Sequence, residues 1–428
     1  MKLADGTEIN SQTAKEKRAS MIADMARRHR TYVEENAEWD AKKKLFISLS
    51  FLLKNIVMSI FGNTSTGFGN KGLFNSSITT QAKPATGDVE VQNAPDDTCS
   101  SLKFNPYVPG SPTLLAAGGW DCTVRVWQVS DAGQSEAKLM QNIGAPVLNI
   151  SWFDDGSKLF IAGADKQARV WDLASNQLAV VGTHDEPVST CDWISSPAYS
   201  CLMTGSWDKT LKFWDMRQMP TQTSLATLQM NEKIYCTDLL FPMAVVGLGN
   251  RHIKVFNLEG QPNEVVDHES QLKYQTRSLA IFKNKQGTNP AGYAVGSVEG
   301  RVGIQYLEPS NPKDNFTFKC HRSSELTNGY QEIYPVNDVI FNHNYGTLCT
   351  VGGDGKYSFW DKDSRTKLKT SDAFPMPFTT ADIHGSGSMV ALALGYDWSK
   401  GHEGNKPDNC ASKIFLHPIG DEMKSKKK

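Results

Sequence analysis

The sequence lacks the features that mark several classes of protein. Its 428 residues include 45 Lys and Arg and 46 Asp and Glu, so there is no basic excess typical of a nucleic-acid tail protein. The eight cysteines form no C-x-x-C pair, which argues against a zinc or redox site and favours buried thiols in a reducing compartment. No His, Asp or Ser grouping has a nucleophile-elbow context, a phosphate loop or metal-ligand spacing. We therefore expect no catalysis, no metal and no cofactor.

The sequence also lacks a long apolar run. The longest one spans residues 45–60, but Lys54 and Asn55 interrupt it, and a bilayer requires roughly 20 residues. The run starts late for a signal peptide, and no small-residue cleavage site follows it. With a mean hydropathy of −0.41 and 39% hydrophobic residues, the composition predicts a soluble folded chain without membrane insertion.

What the sequence does contain is a repeat. Three similar segments end in Trp127, Trp171 and Trp214, which are 44 and 43 residues apart. Fainter copies end near residues 257, 306, 361 and 416, which makes seven units. Repeats of about 40 to 45 residues with a terminal Trp-Asp are the signature of a WD-repeat β-propeller. We predict an all-β fold in which residues 88–420 form a seven-bladed propeller with four strands per blade.

The repeat also predicts local structure. Each Gly-Ser-x-Asp element forms a tight turn, and apolar segments such as 147–152, 188–193 and 336–341 line the central channel. Residues 88–91 read as an isolated strand that completes the last blade and removes an exposed edge. His184 lies upstream of Asp208 and Trp214 in one unit, so we expect it in a buried hydrogen-bond network rather than in an active site.

The segments outside the repeats differ in composition. Residues 1–57 form an N-terminal extension, whose charged part from 14 to 44 permits helix. Residues 58–87 read as a flexible linker rich in Gly, Asn, Ser and Thr. Residues 421–428 read as a basic, solvated tail rather than an import signal.

Several strings that are not generic WD-repeat sequence resemble one family. They are Met-Ser-Ile-Phe-Gly at 58–62 and the segments 203–215, 241–246, 314–322 and 396–402. These segments resemble the mRNA export factors of the nuclear pore, the Rae/Gle-type propellers, from residue 58 to the end. Met58 resembles the family's own start, so residues 1–57 are either a lineage extension or a mistaken gene model.

The resemblance implies a non-catalytic adaptor of nuclear mRNA export. Such an adaptor binds the GLEBS segment of a phenylalanine-glycine nucleoporin together with RNA or ribonucleoprotein. It acts as a monomer within a heteromeric complex in the nucleus and at the pore, and shuttles to the cytoplasm.

Two alternatives stay open. A related propeller is a mitotic checkpoint and spindle scaffold that grips GLEBS segments of checkpoint kinases. The string from Trp214 to Arg217 resembles a box that docks some propellers to a cullin ubiquitin ligase adaptor.

The inter-strand turns predict one binding surface for a partner peptide. Exposed Trp beside Arg is typical of interfaces, although Trp120 and Trp207 would also serve simply to shield the blades. Arg301 resembles the family arginine that meets acidic GLEBS residues, and a guanidinium binds a carboxylate through two parallel hydrogen bonds. The predicted peptide-binding residues are Trp120, Trp207, Arg251, Glu299, Arg301, Lys356, Tyr396 and Trp398.

A second cluster combines charge and aromatic rings at the ends of the fifth and sixth units. Aromatic faces stack on bases and cations meet phosphates, which favours single-stranded RNA binding. Against this, Trp360 occupies the structural Trp position of its repeat, and we expect strand alternation to turn one of Phe316 and Phe318 inward. The predicted RNA-binding residues are Phe316, Phe318, Lys319, His321, Arg322, Trp360, Lys362, Arg365 and Lys367.

Overall fold

The computed structural model describes residues 87–217, 223–404 and 412–425, most of them in strands or in the turns between strands. The predicted extension (1–57), nearly all of the predicted linker (58–87) and residues 426–428 lie outside the described residues. The described ranges contain no helix with the length and apolar character needed to cross a membrane.

Seven four-stranded antiparallel sheets form a β-propeller. From the innermost strand outward, blade 1 contains β2 (Cys99–Phe104), β3 (Thr113–Gly119), β4 (Thr123–Val129) and β5 (Ser135–Asn142). Blade 2 contains β6 (Val147–Trp152), β7 (Lys158–Gly163), β8 (Gln167–Asp172) and β9 (Gln177–Thr183). Blade 3 contains β10 (Val188–Ser195), β11 (Ser200–Ser206), β12 (Thr210–Trp214) and β13 (Ala226–Gln229). Blade 4 contains β14 (Ile234–Leu240), β15 (Met243–Leu248), β16 (His252–Asn257) and β17 (Asn263–Glu269).

Blade 5 contains β18 (Thr276–Lys283), β19 (Pro290–Ser297), β20 (Arg301–Tyr306) and β21 (Phe316–Lys319). A hairpin of β22 (Arg322–Thr327) and β23 (Tyr330–Ile333) follows as a separate two-stranded sheet. Blade 6 contains β24 (Val336–Asn342), β25 (Thr347–Gly352), β26 (Tyr357–Asp361) and β27 (Thr366–Thr370). Blade 7 combines β28 (Phe378–Ile383), β29 (Met389–Leu394) and β30 (Lys413–Pro418) with β1 (Val89–Val91). The predicted seven-bladed, all-β propeller is confirmed.

Side-chain alternation explains why the blades form a ring. In β12, Leu211 and Phe213 are buried while Thr210 and Lys212 are partly exposed, so one face of the strand packs against the next blade. Each blade has two apolar faces, and only a closed ring of blades covers both. The innermost strands of neighbouring blades contact one another around the whole ring and surround the channel, as predicted for β6, β10 and β24.

The ring closes through its two termini. Strand β1 pairs antiparallel with β30, with Val89 opposite Leu416 and Val91 opposite Ile414. Val91 is buried in the core between blades 7 and 1. The predicted clasp is therefore confirmed, and the early strand covers an edge of blade 7 that would otherwise be open.

An ionic network reinforces the clasp. His417 Nδ1 lies 2.5 Å from Asp88 Oδ1, and its Nε2 lies 2.9 Å from Glu422 Oε2. Burial lowers the pKa of His417, but the hydrogen bonds to Asp88 and Glu422 outweigh burial and leave the pKa raised. Because the folded-state pKa is raised, this histidine contributes its stabilisation at acidic pH and loses it as the pH rises through that pKa.

Residues 421–425 are not a solvated tail, which corrects the prediction for this part of 421–428. Met423 is fully buried at 0% exposure, and its carbonyl accepts a hydrogen bond from Thr347 Oγ1 at 2.8 Å. Glu422 also pairs with Lys369, and Ser425 Oγ bonds to Asp361 of blade 6. The sequence did not indicate that this segment packs on the propeller, because its one large apolar residue, Met423, lies among charged residues.

The predicted role of His184 is confirmed. Its Nδ1 lies 2.9 Å from Asp208 Oδ2, and its Nε2 lies 2.8 Å from Thr204 Oγ1, which also accepts the Trp214 indole N–H at 2.8 Å. Burial lowers the pKa of His184 despite the Asp208 carboxylate, which favours the neutral form of the ring. The Trp214 ring packs so closely that a Cβ at Gly182 would approach it to 2.5 Å.

Candidate functional site: two surfaces of the propeller

We define the top face as the end of the propeller that carries the turns between the second and third strands of the blades. The first strands begin at this same end, as the pairing of Cys99 with Gly119 shows. Several turns hold a non-glycine residue in the left-handed region, among them Arg251 (φ 71°). Such a backbone needs support from surrounding contacts, so the turns present their side chains in defined directions.

Exposed aromatic side chains lie at the channel mouth on the top face. Trp120 is 44% exposed and Trp398 is 49% exposed. Together with Ser100, Arg277 and other residues they line a pocket of about 540 Å³. Tyr396 is buried instead: its ring packs against Trp398 at 5.6 Å, and its hydroxyl donates to Gly401 O at 2.6 Å. Tyr396 thus forms a wall of the pocket and does not project from the surface.

Arg301 lies at the edge of the top face in blade 5. Its Nε is 3.5 Å from Glu299 Oε2, and its side chain keeps 32% exposure. Glu299 also accepts the Lys273 backbone N–H at 3.0 Å, which fixes this carboxylate beside the guanidinium. The separation of 3.5 Å leaves Arg301 with donors for a further anion. Arg251 is more fully engaged, because it pairs with Glu269 and donates to Lys273 O at 2.9 Å.

The other two predicted peptide-binding residues are only partly exposed. The Trp207 backbone N–H donates to Pro187 O, and its side chain lies at the top of blade 3. Lys356 follows Asp354 in the corresponding turn of blade 6, where Asp354 Oδ1 accepts the Lys356 backbone N–H. The structure therefore brings the predicted residues to one face, with Trp120, Trp398 and Arg301 as the most available contacts.

The sequence reasoning missed the hairpin formed by β22 and β23. It projects at the top face beside Arg301 and exposes Leu326 (67%), Tyr330 (79%) and Ile333. Arg322 at its base donates to the Glu299 and Gly300 carbonyls, which ties the hairpin to blade 5. The unusually long interval between the fifth and sixth repeats was the available sign of an insertion.

A second surface lies on the side of the propeller between blades 5 and 6. The Phe318 and Trp360 rings are 4.7 Å apart, and the Arg365 guanidinium lies 4.4 Å from the Phe316 ring centroid. Lys367 Nζ lies 6.0 Å from the Trp360 ring. We call these five residues, Phe316, Phe318, Trp360, Arg365 and Lys367, the side patch. Trp360 also donates its indole N–H to Thr350 Oγ1 at 3.0 Å, so this residue has a structural role within blade 6 as well.

The expected opposite orientation of Phe316 and Phe318 is wrong. Residues two apart in a strand share a face, and both rings are partly buried against the blade 5–6 core, while Thr317 and Lys319 are exposed on the other side of β21. Lys319 is therefore separated from the side patch. Arg322 also points away from it, towards the Glu299 carbonyl at 2.9 Å.

His321 is buried and cannot contact RNA. Its Nδ1 lies 2.8 Å from Asp354 Oδ1, and its Nε2 lies 2.9 Å from Thr350 Oγ1. With Trp360, these residues repeat in blade 6 the network that His184 forms in blade 3. His321 is thus a structural histidine of the WD repeat.

Lys362 is also removed from the predicted RNA surface. Its side chain is only 4% exposed and pairs with Asp363 at 2.8 Å. The ammonium lies 4.8 Å from the Phe282 ring centroid and 5.7 Å from that of Tyr306. These contacts satisfy the charge within the protein.

The string that resembles a cullin-adaptor docking box forms a local ion pair. Arg217 Nη2 lies 2.7 Å from Asp215 Oδ2, and hydrogen bonds from Arg217 lower the pKa of Asp215 to about 2. The Arg217 side chain is 85% exposed.

Neither surface holds a metal-binding group. Throughout the part of the chain that the structure describes, no cluster of three or more His, Cys, Asp or Glu side chains is arranged to hold a metal ion. The seven cysteines in this part are free thiols, and burial raises the pKa of Cys99, Cys201 and Cys236 to about 12, which keeps them protonated.

Comparisons with known proteins show which family the chain belongs to. A family model described as "WD domain, G-beta repeat" matches residues 90–128, 137–172 and 175–215. The chain is 58% identical over 367 residues to the mRNA export factor rae-1 of Caenorhabditis elegans, covering 84% of this chain and 98% of that protein. It is 50% identical to Protein Rae1 of Drosophila melanogaster over 81% of this chain and 98% of that protein.

The chain is also similar to a third relative and to a solved structure. The chain is 49% identical to the mRNA export factor of Danio rerio, covering 87% of this chain and all of that protein. The crystal structure of the RRP9 WD40 repeats has a TM-score of 0.63 and 14% identity, covering 78% of this chain and 98% of that one, and shows the fold alone. Because the identity to these export factors extends over nearly their whole length, the chain belongs to the Rae1 family of mRNA export factors.

Proposed function

We propose that this chain is a non-catalytic adaptor of mRNA export, located in the nucleus and at the nuclear pore. It binds the acidic GLEBS segment of a phenylalanine-glycine nucleoporin on the top face and RNA or ribonucleoprotein on the side patch. The observation that carries this proposal is the top face itself, where the exposed Trp120 and Trp398 and a cationic Arg301 with spare donors lie at one end of a rigid ring. Relatives named mRNA export factors support the same role.

The two surfaces have different chemistry, which suits two kinds of partner. The top face offers large aromatic side chains and a bidentate cation, and such anchors dominate peptide interfaces. The side patch offers rings for stacking, with Arg365 and Lys367 over them. Stacking with nearby cations favours sequence-tolerant contact with single strands. An adaptor that holds both partners at once requires two such separated sites.

Arg301→Glu tests the peptide site. We expect the variant to bind an acidic GLEBS peptide roughly a hundredfold more weakly, because a carboxylate next to Glu299 repels the peptide's acidic residues. Isothermal titration calorimetry measures the affinity, and the thermal unfolding midpoint should stay unchanged. Arg217→Glu, which changes an exposed arginine in blade 3, is the control and should bind normally. Intact affinity in Arg301→Glu would rule out this site.

Charge reversal at Arg365 and Lys367 tests the RNA site. Because each phosphate contact on a single strand contributes about −0.7 to the slope of log K against log salt, the double variant Arg365→Glu/Lys367→Glu should flatten this slope by up to about 1.4. Fluorescence anisotropy with a labelled oligoribonucleotide measures the slope at several salt concentrations. Lys138→Glu/Lys158→Glu, on blades 1 and 2, is the matched control. If the slopes of the two double variants agree, RNA does not contact the side patch.

A further inference from the structure

A pocket of about 360 Å³ lies between blades 5 and 6 at the end of the propeller opposite the top face. The β18–β19 turn of blade 5 forms one side of it, and the β24–β25 and β26–β27 turns of blade 6 form the other. We call it the rim pocket. Its described lining residues include three lysines (Lys283, Lys285 and Lys362) and a single carboxylate, Asp363. The rim pocket is therefore positively charged, although the whole chain has a net charge of −1.

Two of these lysines are available to a ligand. Neither Lys283 nor Lys285 has a side-chain hydrogen bond or ion pair with any described residue, and the Lys285 side chain is exposed. Asp363 does not neutralise them, because its Oδ1 already lies 2.8 Å from Lys362 Nζ and accepts the Tyr306 hydroxyl at 3.3 Å. Two unpaired ammonium groups in one pocket repel each other, and an anion bound between them relieves that repulsion.

The lysine in the β18–β19 turn is particular to blade 5. A turn between the first and second strands occurs in all seven blades, and only in blade 5, at Lys285, does it contain a lysine. The equivalent turn of blade 2 contains Asp154 and Asp155 instead. The blade 5 turn is also held in shape, because Asn284 Oδ1 accepts the Thr288 backbone N–H at 3.0 Å. This turn thus carries a positive charge that the architecture of the blade does not require.

Exposed aromatic rings lie beside these cations. Tyr345 is 37% exposed at the rim pocket, and Lys424 Nζ lies 5.8 Å from its ring centroid. Lys424 belongs to the C-terminal segment that the buried Met423 holds against blade 6, so docking of this segment helps to fix the Tyr345 ring. The His343 ring is exposed too, and it packs against Phe341 at a centroid distance of 6.5 Å. Aromatic faces with nearby cations are the combination by which proteins bind single strands without sequence preference.

The rim pocket is continuous with the side patch. The β26–β27 turn contributes Lys362 and Asp363 to the pocket and Arg365 to the side patch. A strand bound on the side patch therefore has only this turn to pass before it reaches Lys283 and Lys285. A small anion such as free phosphate would use the lysines but not the rings, so the combination favours a nucleotide chain.

We infer that the rim pocket is a second RNA subsite, in which Lys283 and Lys285 bind phosphate groups and Tyr345 stacks on a base of the same strand that contacts the side patch. The inference rests on the proposed RNA-binding function and extends it from the side of blades 5 and 6 to the end opposite the top face. RNA bound in this way leads away from the top face, so it leaves the peptide site free.

Lys283→Gln/Lys285→Gln in the full chain is the main test. Each lost phosphate contact on a single strand removes about 0.7 from the slope of log K against log salt, so we expect the slope to flatten by up to about 1.4. Fluorescence anisotropy with labelled decauridylate measures the slope, and the thermal unfolding midpoint should stay unchanged. Lys283→Arg/Lys285→Arg should retain the wild-type slope, because arginine keeps both charges. Lys138→Gln/Lys158→Gln, on blades 1 and 2, is the matched control.

Tyr345→Ala tests the stacking contact separately. We expect roughly five- to hundredfold weaker binding of decauridylate with an unchanged salt slope, because the ring contributes stacking but no charge. Tyr345→Phe should bind normally. Ultraviolet crosslinking of decauridylate that carries 5-iodouridine, followed by peptide mass spectrometry, should identify Tyr345 in the wild-type protein. Normal binding by Tyr345→Ala overturns the stacking contact.

Comparison with Arg365→Glu/Lys367→Glu separates the subsite from the proposed function. Flattening of the slope by both double variants supports both contacts. If only the side-patch variant flattens the slope, the rim subsite is overturned and the proposed function stands. If only Lys283→Gln/Lys285→Gln flattens it, the subsite stands and the proposed side-patch contact fails; if neither does, both fail. Full displacement of RNA by decaglutamate or by inorganic phosphate at the same concentration of charge would show a general anion site and overturn the assignment to RNA.

Discussion

Thr204→Val is expected to lower the free energy of unfolding by about 2 to 6 kcal/mol although it removes no volume. The Thr204 hydroxyl is fully buried and serves both the His184 ring and the Trp214 indole. Valine leaves an imidazole nitrogen and an indole N–H without partners, and each unsatisfied buried group costs about 1 to 3 kcal/mol. Guanidinium chloride denaturation followed by tryptophan fluorescence measures the loss.

Two further Thr→Val variants provide comparisons for the stability loss in Thr204→Val. Thr350→Val removes the same hydroxyl from the His321 and Trp360 network, but Trp360 is partly exposed, so we expect a smaller loss. Thr317→Val, on the exposed side of β21, should change stability by less than about 0.5 kcal/mol. A Thr204→Val protein as stable as the Thr317→Val protein would mean that the network contributes nothing to the blade.

Deleting residues 88–91 is expected to destabilise the propeller by about 3 to 6 kcal/mol, from the lost burial of Val91 and the lost Asp88 pair. The midpoint of thermal unfolding should fall by about 5 to 15 °C. Without β1, the backbone groups on the outer edge of β30 are unpaired, so we also expect concentration-dependent association through that edge. Thermal unfolding and light scattering over a range of concentrations measure both effects.

Glu90→Gln is the control for this deletion. It removes only an exposed ion pair with Lys413, for which we expect a change of less than about 0.5 kcal/mol. A deletion variant that is monodisperse and unfolds at the wild-type temperature would show that blade 7 is stable with three strands.

The fold was predictable because its signals repeat. Seven copies of one pattern indicate the blades, and the short strand at Val89 stands alone in sequence, which suggested the clasp. His184 was identified because the interval from His184 to Trp214 has the usual length. His321 was not, because the β22–β23 hairpin lies between it and Trp360 and lengthens the equivalent interval.

The candidate sites were predictable only in part. The turns placed Trp120 and Arg301 on one face, since every blade orients its turns alike. Lys285 was missed because the rim pocket is formed by turns of two blades, which come together only when the blades are assembled. Lys362 looked exposed in a charged segment, but its ammonium packs on Phe282 of β18 in the neighbouring blade and pairs with the adjacent Asp363, and the first of these contacts appears only when the blades are assembled.

The clasp also constrains how the chain matures during its synthesis. Asp88 and His417 touch although 329 positions separate them in sequence. A nascent chain therefore carries β1 without a partner until β30 has left the ribosome. Contacts of such long range form slowly, so blade 1 must persist beside an unfilled neighbour throughout translation. Until β30 arrives, β1 and the face of blade 1 that packs on blade 7 therefore stay uncovered.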